Sequence, residues 1–220
     1  MTSRKKLPFK DYTTVNCQDA IALSSPDLYR YFVLSLTADR QLKTDTTLKQ
    51  LADFTGEKES AYKGGQTKGK KKLSLNERFK ASGVFKEIIS SNGYSNYQPS
   101  RNIYVFKKAE KGNYRRVKKE FRDLSLPVKL KGYILQLFCL AEPRGYLITR
   151  TTNNISRTLG MANKTVKEYN EILKDKGLLK ETKEGFELKL DKYFILDEAK
   201  YNKEKKREEE DEWVDWMEAI

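Results

Sequence analysis

The chain has 220 residues, with 44 Lys+Arg against 31 Asp+Glu, a net charge of +13, two cysteines and no histidine. The absence of histidine excludes an imidazole general base, Ser/His or Cys/His nucleophile systems and imidazole-ligated metals, and two cysteines cannot build a four-ligand zinc site. No enzyme activity and no cofactor are therefore expected.

No apolar run approaches the roughly 18 residues of a membrane span, and the basic start MTSRKKLPFKDYTT lacks the apolar stretch of a secretory signal. A cytoplasmic protein with Cys17 and Cys139 as reduced, packed thiols is expected. A hydrophobic fraction of 38% predicts small cores rather than one large one. The charge is segregated. Residues 197–220 carry ten acidic and five basic side chains, which leaves +18 on residues 1–196 of a chain whose total is +13. A body of that charge attracts a polyanion, nucleic acid first.

In chain order, residues 1–19 form a basic arm. Ser25 is placed to cap a helix with Pro26 in its first turn and Leu28, Tyr31, Phe32 and Leu36 facing inward. Thr47 begins a second helix that carries Leu48, Leu51, Ala52 and Thr55 and stops at Gly56. The lysine-rich loop 63–72 follows, then a third helix ending near Ala81. Residues 84–89 and 103–107 are predicted strands, joined by a Ser/Asn/Gly/Pro loop. A basic linker, 109–127, ends at Pro127.

The pattern then repeats. Leu130, Tyr133, Ile134, Leu137, Phe138 and Ala141 have helical spacing. Asn154 is placed to cap a short helix with Ile155 and Leu159, stopped by Gly160. Asn163 is placed to cap a third helix with Val166, Tyr169, Ile172 and Leu173. LLKET and FELKL then form a hairpin with its turn at 183–185. The segments FKASGVFKEI (79–88) and LKDKGLLKET (173–182) share one design: helix end, glycine stop, strand start. The second and third helical stops lie 27 positions apart in the first copy (Gly56, Gly83) and 17 in the second (Gly160, Gly177), so the first copy holds about ten extra residues there.

Three helices followed by a two-stranded hairpin resembles the winged helix-turn-helix family. The resemblance is closest in NNISRTLGMANKTVKEYNEILKDKGLL (153–179). It implies an α+β, mainly helical fold: two winged helix-turn-helix modules in tandem (20–108 and 128–196) plus a charged C-terminal helical tail (197–220). It also implies double-stranded DNA as partner, with the third helix of the second module in the major groove. Asn163, Lys164, Thr165, Lys167, Glu168 and Asn170 then face the bases. Lys suits guanine O6 and N7, Asn suits adenine, and Glu suits cytosine N4. Arg157 on the preceding helix and Lys183 at the hairpin tip are placed for phosphates. Lys68, Lys70, Lys71 and Lys72, with Arg78 just beyond, make a phosphate clamp without sequence preference.

Gly64, Gly69 and Lys70 approach a phosphate-binding loop, but Lys71 stands where Ser or Thr must hold magnesium, and no apolar strand precedes them. In the tail, Trp213, Trp216, Met217 and Ile220 recur at helical spacing on an acidic background. They suit a groove on a partner protein, on a second copy in a homodimer, or on the chain's own body.

Tandem modules on a small basic chain resemble plasmid replication initiators, and the second module is similar to the N-terminal domain of phage replisome organisers. A transcription regulator of the same fold is the alternative. A protein-interaction or virion-associated scaffold is a further one. An RNA binder would stack bases on Tyr94, Tyr97 and Tyr104.

Overall fold

A computed structural model of the chain describes residues 9–67, 70–91, 100–108, 112–143, 145–205 and 207. The elements run β1 (Tyr12–Asn16), α1 (Cys17–Ala22), α2 (Ser25–Leu36), β2 (Lys43–Thr46), α3 (Leu48–Thr55), β3 (Gly65–Thr67), β4 (Lys70–Lys72), α4 (Leu75–Ser82), β5 (Phe85–Ser91) and β6 (Arg101–Phe106). They continue with β7 (Tyr114–Lys118), α5 (Val128–Leu140), β8 (Leu147–Ile148), α6 (Thr152–Leu159), α7 (Asn163–Asp175), β9 (Leu179–Thr182), β10 (Gly185–Leu188) and β11 (Phe194–Ile195). Residues 198–205 are helical and are called α8. Among the described residues, no helix is long and apolar enough to cross a membrane.

The two halves repeat one order: helix, strand, helix, helix, strand, strand. In the first half β2 and β5 both pair with β6; in the second β8 and β9 both pair with β10, all antiparallel. The predicted glycine stops hold, because Gly56, Gly83, Gly160 and Gly177 all sit at helix ends with φ between 59° and 72°, where a side chain is strained. The extra residues of the first half form a 3-10 turn (Glu59–Ala61) and the hairpin β3–β4, so the expected loop 63–72 is largely a two-stranded ribbon. β2 (KTDT) is short and polar and β8 (LI) is only two residues long, so neither shows an alternating apolar pattern, and each is recruited by the strand beside it. Three caps differ from expectation. Ser24, Thr151 and Ala162 occupy the cap positions, and Ser25 and Asn163 are the first helical residues.

The larger correction concerns the arm and the linker. β1 from the expected arm, β7 from the expected linker and β11 beyond the second half form one antiparallel sheet, in the order β1-β7-β11. The segments that flank the two halves thus tie them together. Val117 in β7 and Phe121 just after it are fully buried, although their neighbours are basic. Aromatic rings continue the connection: Phe32 of α2 meets Phe121 at 5.7 Å, Phe121 meets Phe194 of β11 at 5.6 Å, and Phe194 stacks on Phe138 of α5 at 3.9 Å. One hydrophobic cluster therefore spans both halves, in place of the separate small cores expected.

At its centre α2 crosses α5. A Cβ on Gly132 would lie 1.6 Å from the Ser25 carbonyl oxygen, so only glycine permits this approach. The polar groups trapped there are satisfied. Ser25 Oγ donates to Gln136 Oε1 at 2.6 Å, and Gln136 Nε2 donates to the carbonyls of Ala20 (3.2 Å) and Leu23 (2.9 Å). Gly132→Ala is expected to lower unfolding stability by about 3 kcal/mol, because helix backbone must separate. Gly145→Ala, whose nearest neighbouring atom is 3.9 Å away, is expected to stay within about 0.5 kcal/mol of wild type. Urea midpoints of the two variants check this.

Candidate nucleic-acid interface

α7 turns Val166 and Leu173 into the core and leaves a shallow open surface lined by Asn163, Lys164, Lys167, Glu168, Glu171 and Ile172. Lys164 is the most open, its side chain 88% exposed and 3.9 Å from Glu168. Lys167 is exposed and Thr165 half-buried. The Asn163 amide donates to Asn153 Oδ1 on α6, which orients it across the helix pair. Arg157 on α6 and Lys183 between β9 and β10 are exposed. Arg150, which the sequence pattern did not single out, is exposed, shares a shallow depression with Lys183 and donates to Thr158 Oγ1 at 3.2 Å.

Asn170 does not belong to that surface. It is 3% exposed, and its Oδ1 accepts the Tyr133 hydroxyl of α5 at 2.7 Å. Helical spacing places it one turn from Val166, on the inner face. It is a packed polar residue and cannot read a base.

The charge along α7 is graded. Its N-terminal end carries Lys164 and Lys167 with Arg157 nearby, whereas Glu168, Glu171 and Asp175 occupy its later turns. Lys174 is drawn onto the acidic side, 3.1 Å from Glu171 and 2.5 Å from Glu181 of β9.

In the first half, the ribbon β3–β4 stands beside the start of α4. Lys71 Nζ lies 3.0 Å from Glu77, and Lys72 Nζ donates to the Ser60 carbonyl at 3.2 Å; both side chains remain exposed. Backbone and side-chain hydrogen bonds from Ser74, together with Lys71, push the Glu77 carboxyl down to about 2. Lys68 lies outside the described residues, and of Lys70 only the backbone strand is described. Gly65–Thr67 and Lys70–Lys72 pair as an antiparallel ribbon rather than as the strand and helix of a phosphate loop, and Gly69 lies outside the described residues.

Arg78 is not a free phosphate contact. Its Nε and Nη2 clamp Asp27 of α2 at 2.8 and 3.0 Å, and its Nη1 donates to the Leu73 carbonyl at 2.7 Å. Asp27 also receives Arg30 at 2.7 Å, and Arg30 in turn binds Glu57 at 2.5 Å. This buried network locks α4 onto α2. Tyr104, a candidate for base stacking, is likewise fully buried, with its hydroxyl on Asn76 Oδ1 at 2.8 Å; Tyr94 and Tyr97 lie outside the described residues.

The tail splits in the same way. Trp213, Trp216, Met217 and Ile220 lie outside the described residues. Its first part, α8, packs on the chain's own body. Tyr12 OH donates to Glu198 at 2.6 Å, Arg116 pairs with Glu198, Lys205 pairs with Asp11, and Tyr201 meets the Tyr12 ring edge-on at 5.7 Å. The hydrogen bond to Glu198 and burial push the Tyr12 hydroxyl up to about 12. No protein-family model, curated protein or solved structure matches the chain.

Burial opposes ionisation of Asp27, but Arg78 and Arg30 outweigh it and hold the carboxyl below its ordinary value of 3.8. A depressed folded value means the stabilisation is complete above the ordinary value and is lost as pH falls through the folded one. Asp27→Asn is expected to cost about 3 kcal/mol at neutral pH by leaving the buried Arg30 and the half-buried Arg78 short of charge. The gap to wild type should narrow between about pH 5 and pH 2, as followed by urea midpoints.

Proposed function

We propose that the chain binds double-stranded DNA through two winged-helix units, with the first turns of α7 entering the major groove. The observation that carries this reading is the accessible basic end of α7: Lys164 and Lys167, flanked by Asn163, Thr165 and Arg157 on a scaffold whose strand order recurs in both halves. Lysine donors at a helix start, held above a packed apolar stripe, have the shape and charge to meet guanine edges in a groove about as wide as a helix. Lys183 beside β10 and Lys71 and Lys72 on the ribbon supply phosphate contacts, which add affinity without reading sequence. The acidic later turns of α7 keep that end of the helix away from the backbone.

Replication initiation at repeated sites suits this arrangement. Two units built on one hydrophobic cluster can engage adjacent sites, and the acidic sequence of the tail with its spaced tryptophans suits recruitment of a protein.

Two measurements test the proposal. Duplex affinity by fluorescence anisotropy should fall by orders of magnitude between about 50 and 200 mM salt. Selection from a random duplex pool should enrich one motif. Lys164→Ala and Lys167→Ala are expected to cost about 1–3 kcal/mol on that motif and to relax its preference. Lys71→Ala with Lys72→Ala should weaken all duplexes equally. Absence of duplex binding at low salt would overturn the proposal.

A further inference from the structure

Cys17 and Cys139, the chain's two cysteines, stand far apart in the sequence. The fold brings them together. Cys17 opens α1 and is buried; Cys139 lies in the last turn of α5 and is half-buried. Gln136 of α5 holds the carbonyls of Ala20 and Leu23 at the end of α1. The backbone fixes the meeting: Cys17 N donates to the Asn113 carbonyl at 3.0 Å, and Arg115, two residues further along, binds the carbonyls of Phe138 and Ala141 on either side of Cys139, so both thiols lie beside Arg115 and interact with each other.

Arg115 of β7 completes the site. Its Nε donates to the Phe138 carbonyl at 3.1 Å and its Nη2 to the Ala141 carbonyl at 2.8 Å, which fixes its charge beside the last turn of α5. Hydrogen bonding from Cys139, with the Arg115 charge, holds the Cys17 thiol below the ordinary thiol range in spite of burial. The same hydrogen bond and burial raise Cys139, and Asp19 of α1 faces it with a further negative charge. Tyr31 of α2 donates to Asp19 at 3.3 Å. The Arg115 charge and the shared hydrogen bond thus favour the thiolate at Cys17, with Cys139 as its neighbouring thiol.

We propose that Cys17 and Cys139 are a redox modification site, closing to an intramolecular disulfide when the protein meets a hydroperoxide. The Cys17 thiolate attacks the peroxide oxygen, an S–O bond forms as the O–O bond breaks, and the departing oxygen is protonated and leaves as water from hydrogen peroxide or as the alcohol from an organic hydroperoxide. The Cys139 sulfur then displaces the hydroxyl from Cys17 as water, its own thiol proton completing that molecule, and the S–S bond forms. Two electrons pass from the sulfurs to the peroxide. The product joins α1, in the flank of the first half, to α5, the first helix of the second, and so clasps the contact on which both halves rest. It closes a loop of more than half the chain, which restricts the unfolded state.

Hydrogen peroxide titration of the full-length protein tests this, with intact mass and denatured thiol count as readouts. The expected result is loss of two hydrogens and of both thiols, without crosslinked dimers, reversed by dithiothreitol. The urea midpoint should rise on oxidation in wild type and stay constant in both Cys17→Ser and Cys139→Ser. Cys139→Ser should retain a sulfenic acid at Cys17 that dimedone captures, and Cys17→Ser should yield less adduct. Two thiols that persist after peroxide treatment, disulfides formed only between molecules, or an oxidation-dependent midpoint shift in the single variants would overturn the proposal.

Discussion

The close approach of α2 and α5 is the contact on which the rest of the structure depends. Gly132 lets the two backbones meet, and Gln136 and Ser25 satisfy the polar groups enclosed there. Removing water from such a contact is tolerable because the Ser25 hydroxyl and the Gln136 amide find partners within it. A hydrophobic cluster then spreads outward from this crossing into both halves. The sheet β1-β7-β11 closes over the contact, built from the three segments that precede, separate and follow the halves. The consequence is mechanical: the two repeated units are one body, so surfaces on α7 and on the lysine ribbon keep a set relation to each other.

That rigidity changes how the charge is read. The first half is rich in lysine and arginine, but its buried cations work internally. Arg30 and Arg78 neutralise Asp27 and Glu57 and fasten α4 to α2, where an unpaired charge would be costly. The cations left for a partner are those whose stems reach solvent, notably Lys164, Lys167 and Arg157 in the second half and Lys71 and Lys72 on the ribbon. Net charge sets the attraction toward a polyanion, whereas placement decides which side chains meet it.

α8 shows a related division. Its acidic and aromatic side chains find partners on β1 and β7, where Glu198 meets both Tyr12 and Arg116. The start of the tail is therefore a part of the body, and it covers one face of the sheet that joins the halves.

Much of the local structure was legible in the sequence because it rests on local physics. Glycine stops, the apolar stripes of α2, α5 and α7, and the turn between β9 and β10 depend on backbone sterics and on periodicity within a few residues. The exposed lysines of α7 followed from the same helical spacing, which also places Asn170 on the inner face once the direction of the apolar stripe is drawn through Val166 and Leu173. Tertiary structure alone decided the rest. A strand as polar as β2, as short as the two-residue β8 or as basic as β7 carries no pattern of its own and forms because a neighbour offers hydrogen bonds. Arg78 resembled a free cation until α2 brought Asp27 to it, and Cys17 met Cys139 only when α1 lay along α5. Each of these depends on which distant segment arrives, and pairings between remote parts of a chain are set by the packing of whole elements rather than by the residues beside them.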